Sequence, residues 1–393
     1  MKIVADNKIA FVESGFGRLG EVRLLNSREI SPGAVKDAIV LLVRSVTKVD
    51  EALLKDSKVR FVGTATIGTD HVDRSFLESE GIGFASAPGC NANAVAEYIV
   101  AALLFLARRL GFRLAEKTLG VVGVGNVGSR VVQKAGALGM RVLQNDPPLA
   151  RKTADPRYVP LDALMAADIV TLHVPLTNVG EDATYHLFDR QRLLHMKPGS
   201  IMINTSRGAV IQTGALKQVL SQGILEACAL DVWENEPNID IELLTQASLA
   251  TPHIAGYSLE GKVNATRMVY EAACSFFDLP VEWHAITELP PVDEDKIVVD
   301  SNDQLPEEIL ARVVQKCYAI EEDDRKLRAV LSMRLQQRMA FFEQLRSSYP
   351  LRREFLNRTV EMCLGDSVLR NRLEQIGFVV HDSDSLKSKR FTT

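Results

Sequence analysis

Over the first 250 positions, short apolar runs alternate with polar or amphipathic stretches. Lys2 to Ala5, Val22 to Leu25, Ile39 to Val43 and Val59 to Thr64 have the length and composition of buried parallel strands. Such alternation predicts an open α/β sheet. From Ala94 to Arg109 the chain has no polar face, which predicts a helix buried between domains, with Asn93 as its N-cap. A second set of runs, Thr118 to Val122, Arg141 to Gln144, Ile169 to His173, Ser200 to Asn204 and Glu226 to Asp231, predicts another α/β unit reaching His253. A helix over Leu259 to Asp278 would lead the chain back to the first domain, and Pro280 to Pro291 reads as a linker.

The last hundred residues differ. Glu288 to Asp324 carries 12 acidic and 3 basic residues, whereas Arg325 to Thr393 carries 14 basic and 7 acidic. Helical periodicity shows in Ile309, Leu310, Val313, Val314 and Cys317, and again in Leu327, Val330, Leu331 and Leu335. Gly377 is placed to end a helix before a strand at Phe378-Val379-Val380. These features predict a separate α+β module. Its charge split fits solvated helix faces, complementary surfaces across a two-fold dimer, or an Arg352 or Arg353 that reaches a partner's active site.

Composition narrows the function classes. A length of 393 residues suggests two or three domains, and 46% hydrophobic with 24% charged residues excludes a disordered or low-complexity chain. A net charge of −4 disfavours a dedicated nucleic-acid or anionic-membrane binder. The five cysteines (90, 228, 274, 317 and 363) are scattered without a C-x-x-C pair, so neither a disulfide framework nor a metal site is expected. The start lacks a secretory pattern, and the longest apolar stretch, Ala94 to Ala107, contains Glu97 and is too short to span a bilayer. A soluble cytoplasmic protein is the expectation.

Gly123-Val124-Gly125-Asn126-Val127-Gly128 fits G-x-G-x-x-G between a strand and a helical pattern. Gly123 would make the tight turn, Gly125 would let a pyrophosphate approach, and Gly128 would allow close helix packing. The free N–H groups at the helix start, at Asn126 and Val127, suit phosphate. Asp146, after the next strand, would accept the ribose hydroxyls and repel a 2′-phosphate, favouring NAD over NADP.

Three further strand ends carry chemistry: Asn204 to Gly208, Leu230 to Pro237 and Thr251 to Gly256. Oxidising an alcohol needs a base for the hydroxyl proton. His253 suits that task, with Glu236 to fix its tautomer and Arg207 to grip a substrate carboxylate. Arg44, Ser45 and Thr47 follow a strand and offer a cation and hydroxyls to a phosphate. His71 reads as structural.

These segments resemble the D-2-hydroxyacid dehydrogenase family, with the Arg, Glu and His signatures in the family's order. The resemblance implies a Rossmann-type NAD-binding domain, 96–256, inserted in a flavodoxin-like substrate domain, 1–95 plus 257–285. It further implies a C-terminal α+β dimerisation domain over 286–393. By the same resemblance Ser45, Thr66 and Tyr257 contact substrate, and Pro175, Asp231 and Gly256 join the glycine loop in contacting NAD. The resemblance of the strings around Ser45, Thr66 and Tyr257 implies a phosphorylated 2-hydroxy acid as substrate, and that of the C-terminal module implies a homodimer. Two alternatives stay open: a relative acting on phosphoglycerate, and a non-catalytic NAD-sensing scaffold.

Overall fold

Strands β1 (Lys2–Asp6), β2 (Glu21–Leu25), β3 (Val40–Val43), β4 (Phe61–Thr64) and β5 (Gly83–Ala85) form a parallel sheet in the order β2-β1-β3-β4-β5. The structure is a computed structural model that describes residues 1–290, 296–299, 305–362 and 366–382. Both faces of β3 and β4 are covered, which is why these strands read as unbroken apolar runs. β5 escapes the pattern because it has only three residues and opens on Gly83, where a Cβ would fall 2.5 Å from the Phe276 ring.

The chain divides into two compact units, 1–92 with 258–291 and 93–257 with 292–393. In the first, helix Leu259–Phe276 packs its buried Val263, Val269 and Tyr270 with Ile3, Leu42 and Phe61 of the sheet. The stretch expected to be a linker is anchored to this core by Trp283 and Ala285, while Pro280, Val281, Glu282 and His284 stay exposed. Trp283 is 1% exposed, packs edge-on against Tyr270 at 5.6 Å, and leaves room for no side chain at Gly15. A bulky aromatic three positions after Pro280 finds a buried place within the proline-bearing stretch.

The second unit holds β6 (Thr118–Val122), β7 (Arg141–Asn145), β8 (Ile169–Leu172), β9 (Ser200–Asn204), β10 (Leu225–Leu230) and β11 (Leu249–Ala250), all parallel, in the order β11-β10-β9-β8-β6-β7. Beyond β7, Tyr158 makes a single parallel bridge to Gln144, where a further outer strand of a doubly wound sheet would lie. The strand order reverses between β6 and β8, so the carboxyl ends of these two strands frame the ligand crevice of such a sheet. Two-residue β11 is too short for hydrophobic patterning to register.

Helix α1 (Ala92–Leu110) is buried through most of its length, as its all-round apolar sequence requires. It shares one core with β6, with α2 (Asn126–Ala137) and with Ile309, Val313, Phe355, Val360 and Leu373 from beyond residue 292. Asn93 is not the N-cap. It lies in the first turn, and its amide donates to Glu97 Oε1 (2.9 Å) and Glu354 Oε2 (2.7 Å).

Beyond residue 292, β12 (Ile297–Val299), β13 (Thr359–Met362) and β14 (Val379–Asp382) form a parallel three-stranded sheet. Helix Ser367–Ile376 joins its last two strands and stops at Gly377 (φ +118°), as expected. The second apolar periodicity does not form one helix. Helix Ile320–Arg328 gives way to a 3₁₀ turn at Ala329–Ser332, leaving Leu331 and Leu335 exposed and only Leu327 and Val330 in the core. Arg352 does not extend outward toward a partner. Its guanidinium sits 2.5 Å from Glu97 Oε2, donates to the Ala94 carbonyl and lies over the Tyr318 ring. No helix among the described residues is long and apolar enough to cross a membrane.

Candidate active site

The glycine loop follows β6 directly. Gly123 has φ +84°, and a Cβ there would meet the His173 carbonyl at 2.7 Å. A Cβ on Gly128 would sit 1.9 Å from the Gly123 carbonyl, so α2 seats on the loop only because that side chain is missing. At Gly125 a Cβ would meet nothing within 4 Å. The space over Gly125 is open, beside the unsatisfied N–H groups at the α2 N-terminus (Asn126, Val127, Gly128), and this cradle fits a dinucleotide pyrophosphate. Gly125→Val should therefore leave folding intact but raise the KM for NAD at least tenfold, as read by initial rates beside a thermal melt.

Asp146 stands at the end of β7. Its Oδ2 accepts from Val124 N–H (2.8 Å) and its Oδ1 from Leu149 N–H (3.0 Å), so it steadies the glycine loop and caps helix Pro147–Thr153. Pro147-Pro148 thus starts a helix, where proline at the first turn is tolerated. Pro175 follows β8 and its carbonyl accepts from the Thr184 hydroxyl (2.5 Å). His173 lies on the same strand end, within hydrogen-bond reach of the Thr171 and Thr205 hydroxyls, and burial pushes its imidazole down to about 3, which keeps it neutral.

The candidate reacting groups follow the ends of β9, β10 and β11. His253 Nδ1 lies 2.7 Å from Glu236 Oε2, while Glu236 Oε1 accepts from Trp233 N–H at 2.7 Å. Burial works against the Glu236 anion. The His253 bond and charge, with the Trp233 N–H, outweigh it and hold the carboxyl below its ordinary value. A carboxylate there makes Nδ1 the proton-bearing nitrogen and leaves the Nε2 lone pair available. The described residues make no bond to Nε2. Glu234, two positions earlier, is engaged elsewhere, with His186 Nε2 (2.9 Å) and Thr213 N–H (3.2 Å). Arg207 is half-buried and bonds only the Ser206 carbonyl (2.8 Å), with no carboxylate partner among the described residues. Its fork is available to a planar anion.

Asp231 is 1% exposed. Its Oδ1 accepts from the Thr251 hydroxyl (2.6 Å) and Ile254 N–H (2.8 Å), and its Oδ2 from Ala255 N–H (2.9 Å). It therefore anchors the loop that carries His253, Gly256 and Tyr257. Tyr257 packs edge-on against Tyr349 (5.8 Å). Arg346 of helix Leu335–Ser347 adds positive charge that favours the Glu236 anion.

Arg44, Ser45 and Thr66 belong to the first unit, beyond β3 and β4 and beside its own order reversal between β1 and β3. Arg44 is not a free cation: its Nε lies 3.0 Å from Asp6 Oδ1 and its Nη2 donates to Ser27 Oγ (3.1 Å). Burial opposes the Asp6 anion, but Arg44, Ser27 and the Lys8 N–H hold its carboxyl low. The Thr66 hydroxyl bonds Thr64 (2.8 Å) and the Gly68 carbonyl (3.0 Å), and His71 Nε2 completes this set through Thr64 (3.0 Å), in keeping with a structural His71. Asp6 and Tyr98 support these sites without any sequence signal, because each looks like an ordinary strand or core residue until its partner is seen; Trp233 and Thr251 lie in segments the sequence singles out, but their roles show only in their partners.

Comparison with known proteins agrees with this architecture. Residues 103–255 match the D-isomer specific 2-hydroxyacid dehydrogenase NAD binding domain, and residues 289–377 match a domain of unknown function, DUF3410. Among solved structures, a D-lactate dehydrogenase from Aquifex aeolicus, complexed with NAD and lactic acid, superposes with a TM-score of 0.57 at 25% identity, over 71% of this chain and 96% of that one. Fold and matched domain define an NAD-dependent dehydrogenase of the D-isomer specific 2-hydroxyacid class. An erythronate-4-phosphate dehydrogenase of Chromohalobacter salexigens is 44% identical over 97% of this chain and 99% of its own length. That of Salinibacter ruber is 46% identical over 92% and 94%. The chain belongs to the erythronate-4-phosphate dehydrogenase family.

Proposed function

We propose that this chain oxidises 4-phospho-D-erythronate to (R)-3-hydroxy-2-oxo-4-phosphobutanoate, a step of the bacterial route to pyridoxal 5′-phosphate. The observation that carries this reading is the His253–Glu236 pair, 2.7 Å apart, in a chain that matches curated erythronate-4-phosphate dehydrogenases nearly end to end. When bound, NAD supplies the hydride acceptor, and the glycine loop with Asp146 holds it, with Pro175, Asp231 and Gly256 alongside. Arg207 binds the substrate carboxylate and places a positive field beside the carbinol carbon. His253 Nε2 takes the hydroxyl proton as the C2 hydride leaves, and Glu236 stabilises the resulting imidazolium. Ser45, Thr66 and Tyr257 contact the substrate, and Arg44 with Asp6 behind it sets the charge facing the phosphate. A cytoplasmic homodimer, with three parts spanning 1–95 plus 257–285, 96–256 and 286–393, completes the reading.

The test is NADH formation from 4-phospho-D-erythronate against D-3-phosphoglycerate, with a 2-oxo acid acceptor in parallel so that retained NADH is recycled. Turnover of phosphoerythronate alone is expected. Preference for phosphoglycerate would keep the dehydrogenase and discard the substrate; silence with both would favour a non-catalytic NAD sensor.

A further inference from the structure

The backbone at His253 has φ +57°, a conformation that costs a non-glycine residue free energy and persists only where its surroundings enforce it. Several of the enforcing contacts are hydrogen bonds to Asp231. The Asp231 carbonyl accepts from His253 N–H (2.7 Å), and its carboxylate accepts from Ile254 and Ala255 N–H. From the other side, Trp233 Nε1 donates to the Thr251 carbonyl (3.0 Å) while its backbone N–H holds Glu236. Each end of the His253–Glu236 pair is thus tied to the same buried carboxylate or to the same tryptophan.

One hydroxyl chain enters this lattice from far away in sequence. The Thr251 hydroxyl has a single proton and gives it to Asp231 Oδ1 at 2.6 Å. The Tyr98 hydroxyl, 2.7 Å from Thr251 Oγ1, must then be the donor to Thr251. Tyr98 and Thr251 are both fully buried, so neither hydroxyl can take water in place of its partner. Tyr98 stands on α1, beside Glu97, which Arg352, Asn93 and the Phe355 N–H hold fast. The α1 register that delivers the Tyr98 hydroxyl is therefore pinned by residues from beyond position 292.

We infer that Tyr98 and Thr251 are positioning residues for the proton-accepting histidine, directing the Asp231 carboxylate so that the 251–255 loop presents His253 to the substrate. The inference rests on the reading of His253 as the base. Tyr98 touches no reacting atom and acts only through Thr251 and Asp231.

The test compares Tyr98→Phe, Thr251→Val and Thr251→Ser in the full-length chain, with and without His253→Asn. Tyr98→Phe and Thr251→Val are expected to lower kcat roughly 5–30-fold with KM for NAD within twofold, as the loss of a buried hydrogen bond and a small misplacement of the base would do. Thr251→Ser, which keeps the hydroxyl, should restore kcat to near wild type. In the His253→Asn background neither substitution should lower the residual rate further, because the group they position is gone. If His253→Asn abolishes turnover yet Tyr98→Phe leaves kcat unchanged, the positioning role is overturned and the base assignment stands. Additive losses in the His253→Asn background, or a fall in kcat that Thr251→Ser does not rescue, would also overturn it. Full activity of His253→Asn would overturn the base assignment itself, and the positioning role with it.

Discussion

Replacing His253 by asparagine is expected to lower kcat by about 10²–10⁴-fold, the usual contribution of a positioned general base. Asparagine is the better probe than alanine here. Position 253 has φ +57°, which asparagine tolerates and which a β-carbon without a local hydrogen bond resists. The variant keeps a short polar side chain toward Glu236 but offers no basic nitrogen. KM for NAD should stay within twofold, since the glycine loop and Asp146 lie on β6, α2 and β7, and the bonds from Asp231 to Ile254 and Ala255 N–H do not involve the His253 side chain. Steady-state kinetics with phosphoerythronate, beside NAD binding followed by fluorescence, separates the two. A variant that binds NAD normally and turns over at the wild-type rate would remove His253 from the mechanism. Glu236→Gln should lose less than His253→Asn, because it removes only the stabilising charge behind the base.

Arg352→Met should destabilise the fold by about 3–5 kcal/mol, the range for removing one partner of a buried ion pair. The Arg352 side chain is 8% exposed and the Glu97 side chain 0%, so the carboxylate left behind has no access to water. Burial already pushes Glu97 up to about 7 against the pull of Arg352. A carboxyl raised in the folded state favours folding when protonated, at low pH, and loses that contribution as pH rises from its ordinary value through the folded one. Without Arg352 the folded value climbs further. The gap between variant and wild type should therefore widen from pH 6 to pH 8. Urea unfolding midpoints at the two pH values measure it, and a gap that narrows with rising pH would contradict the account. Adding Glu97→Gln to Arg352→Met should recover part of the loss and remove the extra pH dependence, because the amide keeps an acceptor for the Phe355 and Asn93 donors without the charge.

Much of the architecture is legible along the chain because it depends on neighbours in sequence. A buried parallel strand must be apolar on both faces, so β3, β4, β6 and β9 stand out as runs, with ends within a residue or two of those expected. The dinucleotide loop is legible for the same reason: turn, approach and helix packing fall within six residues, and each glycine has the geometry its place in the motif demands. The rules failed in two places. Trp283 and Ala285 anchor an apparent linker to the core, and a 3₁₀ turn interrupts the periodicity from Leu327 to Leu335.

Local sterics and short-range patterning settle the two α/β sheets, the cofactor loop and the residue types able to move a proton and bind a carboxylate, so each can be read along the chain. Glu236 is the acid already expected beside His253 from the sequence, and the tertiary structure adds how Glu234 is kept away from it. Glu234 and Glu236 are both carboxylates two positions apart, and the course of the chain after β10 turns one toward His186 and the other toward His253. Only the tertiary structure decided that Arg352 pairs inward with Glu97, 255 residues away, and that Tyr98 supports Thr251, 153 residues away. Contacts across such separations leave no mark in spacing or periodicity. They depend on how buried polar groups must find partners once helices and sheets pack, and that requirement is met in three dimensions.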